Sequence, residues 1–351
     1  MILKGLLIYL AIVIYFVLDA IAAQIYEQKG YKQIIGALWG LIPVYGIIRA
    51  LKVPPLKAVT KSAIRKPLKV KSILWTSLLI GQIVLVAIII ILPVIYMVGS
   101  SFADTTGLPT TFWPEKMTWN NYVDLFTGTK FVKWITNTFL IAVITMIVGV
   151  LFITGAAYVF ARFKFKGKKV GLITILVLQV FPTFMSMIAM FTLFEVFGLL
   201  GQPLALTILY VGGAVPFNLW LIKGYLQQIP KDLDESAMLD GANKLQIFTK
   251  IILPLSVPIL SFVAVSMFMS PWMDYMLPKF LLDVNVSGEA DNVQNQWTLA
   301  VGLFEMISGA DKQNYTTFAA GSMVIAVPIT ILYMVFQKFL IQGITAGATK
   351  G

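Results

Sequence analysis

Histidine and cysteine are both absent from the 351 residues. That removes the usual proton shuttle and general base, the thiolate nucleophile, the disulfide and the common zinc ligands together. The phosphate-cradling pattern GxxxxGK[ST] is missing as well. Gly167-Lys168-Lys169 has the lysine but neither the upstream glycine nor the Ser/Thr. No catalytic residue, metal or cofactor is therefore expected. What remains is carboxylates in apolar surroundings, which proton-coupled carriers need near the bilayer midplane. Asp274 lies 20 residues after Pro254, and Glu195 lies 25 after Val170. At roughly 1.5 Å per residue, either distance matches the hydrocarbon thickness of roughly 30 Å. Both acids are thus expected at the exterior level, and Asp19 falls near one end of its own segment. Asp274 reads either as lining the exterior mouth of a path or as a headgroup-level carboxylate capping a proline-kinked helix.

Residues 228–258, QIPKDLDESAMLDGANKLQIFTKIILPLSVP, are the longest segment between two apolar spans that is both charged and helix-patterned. Pro230 suits the first position of a helix, where its missing N–H is not needed. Asp232, Asp234 and Glu235 fall in the first turn, where carboxylates favour the positive end of the helix dipole. Leu233, Ala237 and Met238 then share one face. Gly241, after Asp240, tolerates the left-handed geometry that ends a helix. Leu245, Phe248, Ile251 and Ile252 restart the helical pattern, and Pro254 comes as the chain enters the membrane. The expected form is a short helix, a glycine turn and a second short helix, presented at a membrane surface. Without a partner, the same pattern is an ordinary amphipathic connector.

The elements around that stretch are apolar. The chain is 58% hydrophobic and 12% charged, well above the roughly 45–50% apolar content of soluble domains. Several runs reach the roughly 20 residues that cross a bilayer, so an all-α integral membrane protein is expected. Residues 3–23 are long enough to span; a cleaved signal peptide is the rival, but no clear small-residue cleavage site follows. Residues 33–50 are short for a span and fit a hairpin or an interfacial helix. Lys52, Lys57, Lys61, Arg65, Lys66, Lys69 and Lys71 follow without an acid. Such a cluster is cytoplasmic by the positive-inside rule; it is either a lipid or partner contact or a plain topogenic signal.

Six core spans are expected at about 73–98, 135–161, 170–196, 204–225, 255–282 and 318–340. An exterior loop of about 35 residues with Trp113, Trp119, Tyr122 and Trp134 separates the first two, and aromatics of this kind favour membrane–water interfaces. Basic clusters at 52–71, 162–169, 223–250 and 338–350 fall on alternate sides of the spans. Asp283, Glu289, Asp291 and Asp311, against one lysine, Lys312, fall on the other side. Both ends of the six-helix core are thus cytoplasmic. The net charge of +11 belongs to membrane orientation, and no nucleic-acid partner is expected.

Glu235-Ser236-Ala237-Met238-Leu239-Asp240-Gly241-Ala242, followed by Phe248, Ile251, Leu253 and Pro254, resembles the EAA loop of permease subunits in type I ATP-driven (ABC) carbohydrate importers. Ser236 stands where the pattern more often has alanine. Ala156-Ala157-Tyr158-Val159-Phe160-Ala161-Arg162-Phe163, Pro216-Phe217, Pro271-Trp272-Met273-Asp274 and Gly343-Ile344-Thr345-Ala346-Gly347 are similar to the same family. Trp297-Thr298-Leu299-Ala300-Val301-Gly302 and the tail resemble the second membrane subunit of maltose/maltodextrin systems. The resemblance covers about residues 72–351, which would be the permease domain. Residues 1–71 depart from it, as a membrane-associated extension with a basic cytoplasmic linker.

The resemblance implies a six-helix permease core in the bacterial plasma membrane. Its partners would be a second permease subunit, two ATPase subunits, an extracytoplasmic solute-binding protein and membrane lipid. ATP would be hydrolysed by the separate ATPase chains, and this subunit would not itself be an enzyme. Glu235, Ser236, Ala237, Asp240, Gly241, Ala242, Phe248 and Pro254 would form the coupling loop that docks into an ATPase cleft. Gly343, Thr345, Ala346 and Gly347 would reach between the two ATPases, where composition alone reads a disordered terminus. Phe181, Phe184, Phe217, Trp220 and Trp272 could stack on sugar rings, or else pack or face lipid; no substrate residue is assigned. An ion-coupled secondary carrier is the alternative, weakened by the lack of a midplane acid. A membrane enzyme or scaffold for polysaccharide assembly would require a polar catalytic cluster at the interface, which is not found.

Overall fold

The structure is a computed structural model. It describes residues 70–105, 107–180, 183–285, 290–308 and 314–348, with isolated positions between 14 and 54. Most of the two apolar segments expected before residue 50 and of the basic run at 52–71 lies outside the described residues, as does Phe181. The chain forms two compact units, Met1–Tyr96 and Met97–Gly351. In the first, Ala22 and Tyr26 are buried, and Lys29 Nζ donates to the Leu51 carbonyl at 2.7 Å.

Helix α1 (Val70–Ser101) crosses the boundary between the units. The second unit contains α2 (Asn120–Thr127), α3 (Phe131–Arg162), α4 (Lys168–Val177), α5 (Thr183–Val196) and α6 (Leu206–Leu226). Then come α7 (Asp232–Leu239), α8 (Lys244–Ile247), a π-helical turn (Phe248–Ile252), α9 (Leu253–Leu255) and α10 (Val257–Met273). The remainder is α11 (Met276–Leu282), α12 (Ala290–Gln296), α13 (Leu299–Ser308) and α14 (Tyr315–Ala348).

Among the described residues, four helices are long and apolar enough to cross a membrane. The pair Lys244–Leu255 and Val257–Met273, bent by 79°, passes the same length and composition test only when taken together. The expected third span is broken rather than continuous: α4 passes into a 3-10 turn at Leu178–Val180 before α5 begins at Thr183. The expected fifth span, 255–282, ends early. Helix α10 stops at Met273, Asp274 is extended, and α11 is a separate short helix. Pro278 favours the break, because it has no N–H to give the Asp274 carbonyl. The expected exterior loop after this span is partly helical too, since apolar α13 packs on α3 and α14.

Helix α3 is the central element, packed chiefly against α6 and α10. One core cluster joins Ile153, Ala157, Leu219, Ile222, Ile259 and Val263 to Ile247 and Ile252 of the loop after α7. At the other end of α3, Leu125, Phe131, Trp134, Leu299 and Leu303 form another. Polar pins fix that end. Asn137 Nδ2 donates to the carbonyls of Asn295 and Trp297, and the Leu299 N–H donates to Thr138 Oγ1. Asn121 Nδ2 donates to the carbonyls of Ser101 and Ala103.

Gly302 sets the approach of α13 to α3. A Cβ there would lie 2.2 Å from the Trp134 ring, and that ring is held by its Nε1, which donates to the Gln294 carbonyl at 2.8 Å. Gly302→Val is expected to cost about 2 kcal/mol, the usual range for overpacking a core. A thermal-unfolding scan of the purified protein in detergent checks it, with Gly155→Ala, which meets nothing within 4 Å, as the tolerated control.

Candidate functional site

The segment after α6 has the expected form, with corrections at its start and on its apolar face. Lys231 is the N-cap and α7 begins at Asp232, so Pro230 precedes the helix instead of opening it. Asp232, Asp234 and Glu235 occupy the first turn. The helix ends in a Schellman motif. Gly241 is left-handed at φ +84°; the Gly241 N–H donates to the Met238 carbonyl, and the Ala242 N–H to that of Ala237. A capping box then starts α8: Asn243 Oδ1 accepts from the Gln246 N–H at 2.9 Å, and Gln246 Oε1 accepts from the Asn243 N–H at 2.8 Å. Two donors that would otherwise be orphaned are satisfied reciprocally.

The bend into the membrane lies at Ser256 rather than Pro254. Pro258 has no N–H to give the Pro254 carbonyl, and buried Ser256 turns its hydroxyl back to the Ile252 carbonyl at 2.6 Å. The expected apolar face of α7 is also turned around. Ala237 and Asp234 face the protein, whereas Leu233, Met238 and Leu239 are exposed. Leu239 is 90% exposed and Leu245, on α8, is 69% exposed. The physical reason is that Asp234 carries the inward contact.

That contact is Arg162, the last residue of α3. Its Nε lies 2.9 Å from Asp234 Oδ2, the side chains being 6% and 15% exposed. Its Nη2 donates to the Ile229 carbonyl at 3.0 Å. One turn earlier, the Tyr158 ring packs on Phe248 at 4.7 Å and edge-on to Phe163 at 5.6 Å, and its hydroxyl donates to the Lys244 carbonyl. Lys244 Nζ sits 4.6 Å above the Phe163 ring. The end of α3 thus holds both halves of the loop. Glu235, Ser236, Asp240, Gly241 and Pro254 are exposed, while Ala237, Ala242 and Phe248 are half-buried on this support. Gly343, Thr345, Ala346 and Gly347 lie in the helical backbone of α14, where composition alone had suggested a disordered end.

Toward the opposite end of the spans, Asp274 is half-buried between α10 and α11, and its Oδ1 accepts from the Leu277 N–H at 3.3 Å. Its Oδ2 accepts from the Tyr210 hydroxyl at 3.0 Å. Both residues line a cavity of about 450 Å³. Phe217 is exposed; Trp220 is half-buried and donates its Nε1 to the Leu172 carbonyl. Beyond Asp274, Lys279 on α11 pairs with Asp283 at 2.5 Å and Glu305 at 2.6 Å, and Trp297 Nε1 donates to Asp283 Oδ1. Burial lowers the Lys279 pKa, and the two carboxylates outweigh it, leaving the ammonium above its ordinary 10.5. A raised lysine stabilises below its ordinary value and stops doing so only as pH climbs through the raised one. This latch therefore holds throughout the neutral range.

Residues 153–346 match the family of binding-protein-dependent transport system inner membrane components. The chain belongs to that family. The matched stretch starts inside α3 and takes in the loop, the cavity and nearly all of α14. A galactooligosaccharide transport system permease protein of Bacillus subtilis is 38% identical over 269 residues, covering 76% of this chain and 92% of its own length. A maltodextrin transport system permease protein of the same organism is also 38% identical over 269 residues, covering 76% and 93%. A maltodextrin permease protein of Streptococcus pneumoniae is 36% identical over 287 residues, covering 81% and 99%. Among solved structures, a chain of a bacterial ABC transporter involved in importing the acidic polysaccharide alginate has the same fold. It has a TM-score of 0.66 and 23% identity, covering 78% of this chain and 99% of that one. As a member of this inner-membrane family, the protein is a multi-pass membrane permease component and not by itself a catalyst.

Proposed function

We propose that this chain is a permease subunit of an ATP-driven importer of oligosaccharides of the maltodextrin type, coupled to ATP hydrolysed by separate subunits. The observation that carries the reading is the loop after α6. A helix, a left-handed glycine and a capped second helix are clamped to α3 by a buried ion pair, and they present exposed Leu239 and Leu245 outward. A rigid, polar-anchored element with an apolar face suits docking into a cleft on a moving partner. The curated relatives' names support the sugar class.

The loop would transmit closure of two ATPase subunits to the spans through Ile247 and Ile252, which share a core with α3, α6 and α10. A second permease subunit and an extracytoplasmic solute-binding protein complete the transporter, and membrane lipid surrounds the spans. The chain itself needs no cofactor. The test is the ATPase rate of the reconstituted complex with binding protein and maltotriose. Sugar-loaded binding protein is expected to raise the rate several-fold over sugar-free binding protein. Stimulation by galactooligosaccharides alone would reassign the sugar, and stimulation by neither would reject the reading.

The tail supplies a further expectation. Removing residues 343–351 lowers the sugar-stimulated rate about threefold or more if this end touches the ATPases. Unchanged stimulation in a fully assembled complex refutes that contact.

A further inference from the structure

The Tyr210–Asp274 cavity does not stand alone. A second cavity of about 170 Å³ shares Tyr210, Ala214 and Ser270 with it. Together they make one groove with two polar stripes. Tyr210 and Asn218 lie eight residues apart on α6, and Ser266 and Ser270 of α10 and Asp274 just past its end step by four. At about 6 Å per four residues, each stripe runs roughly 12 Å inward from the exterior end. Thr145 of α3 lines the inner part. It is 1% exposed, and its Oγ1 has no hydrogen-bond partner. Thr136 and Thr138 on the same helix bond their hydroxyls back to the carbonyls four residues earlier, whereas buried Thr154, like Thr145, does not.

The groove offers acceptors beside a few donors. Asn218 spends one Nδ2 hydrogen on the Ala214 carbonyl and keeps the other, Ser266 spends its hydroxyl proton on the Phe262 carbonyl, and Asn218 Oδ1 and Ser266 Oγ remain as acceptors. Asp274 adds a carboxylate, and among the described residues no lysine or arginine lines either cavity. Met187, Met190 and Leu209 form an apolar wall. Hydroxyl-rich neutral rings match this: O–H groups donate to the acceptors while a C–H face lies on the wall. A sugar carboxylate does not, because two like charges in a confined, partly apolar groove repel strongly.

We propose that this groove is a subsite for an uncharged glycan segment, and that Asp274 is its specificity-determining residue, rejecting acidic sugars. The proposal rests on the importer reading for its cargo but not for its electrostatics.

The absence of cysteine makes the test direct. Ser270→Cys and, deeper, Asn218→Cys are made in the assembled transporter. Their labelling on this subunit's own band is timed with cationic aminoethyl and anionic sulfonatoethyl methanethiosulfonates, each normalised to its rate with free mercaptoethanol. The cation is expected to react at least tenfold faster than the anion at Ser270→Cys. Adding Asp274→Asn should bring the ratio below about three. Maltotriose should slow labelling, and trigalacturonate should not. A ratio near one, a ratio that survives Asp274→Asn, or failure of both cysteines to label in the monodisperse complex would overturn the proposal. So would equal protection, or none, from the two sugars. A transporter without sugar-stimulated ATPase activity would instead fail the importer reading while leaving the charge ratio readable.

Discussion

Arg162→Gln is expected to uncouple the transporter. The substitution leaves Asp234 as a mostly buried carboxylate without its cation and strips the Ile229 carbonyl of a donor. Breaking one side of a buried pair costs about 3–5 kcal/mol. Here the cost falls on the attachment of α7, because Arg162 is its polar anchor to α3. The expected outcome is a sugar-stimulated ATPase rate reduced tenfold or more. Asp234→Asn alone should also be impaired, because it leaves the guanidinium unpaired. The double variant Arg162→Gln with Asp234→Asn should recover part of the loss, as a shared interaction requires. Arg162→Lys should rescue incompletely, since an ammonium cannot serve the carboxylate and the Ile229 carbonyl in the same planar geometry. If the two single losses simply add in the double variant, the pair is not what positions the loop.

Leu239→Glu is expected to abolish assembly with the ATPase while leaving the permease fold untouched. Leu239 is 90% exposed, so its removal takes nothing from the subunit. Burying a leucine in a partner's cleft is worth about 1.5–3 kcal/mol, and a carboxylate placed in the same cleft adds a desolvation cost. A total near 3 kcal/mol corresponds to a loss of roughly a hundredfold in affinity. Leu245→Glu should act in the same direction on the second helix. Pull-down of the ATPase subunit by the tagged permease reads the effect, with the unfolding temperature of the permease expected to stay unchanged. Retained co-purification would show that this face is not the docking surface. The two variants separate the support from the face: Arg162 acts through the loop's position, Leu239 through the partner.

Local signals in the loop were legible from the sequence because they act within a few residues. The acids of the first turn and the left-handed Gly241 lie where spacing puts them. The capping box of Asn243 and Gln246 was equally local and could have been read from the N-x-x-Q spacing. The Arg162–Asp234 pair could not, because it joins positions 72 apart and depends on how α3 and α7 pack. The same limit explains the inverted face of α7. Leu233 and Met238 look like core on periodicity alone, yet the polar anchor turns them outward. The end of the fifth span was missed although the sequence marks it: polar Asp274 and Tyr275 interrupt the apolar run just where the backbone breaks. The groove was half visible: Asp274 was placed near the exterior, but the stripes facing it on α6 and Thr145 of α3 become neighbours only in the folded bundle.

The central claim is that cargo movement through this chain is driven by nucleotide hydrolysis in attached subunits, delivered through the 232–254 loop. The most direct measurement is uptake of labelled maltotriose into proteoliposomes carrying the assembled complex and its binding protein. Uptake is predicted to require both ATP and the ATPase subunits, and to be unaffected by collapsing ion gradients. Uptake by this chain alone, powered by an ion gradient in ATP-free vesicles, would contradict the account.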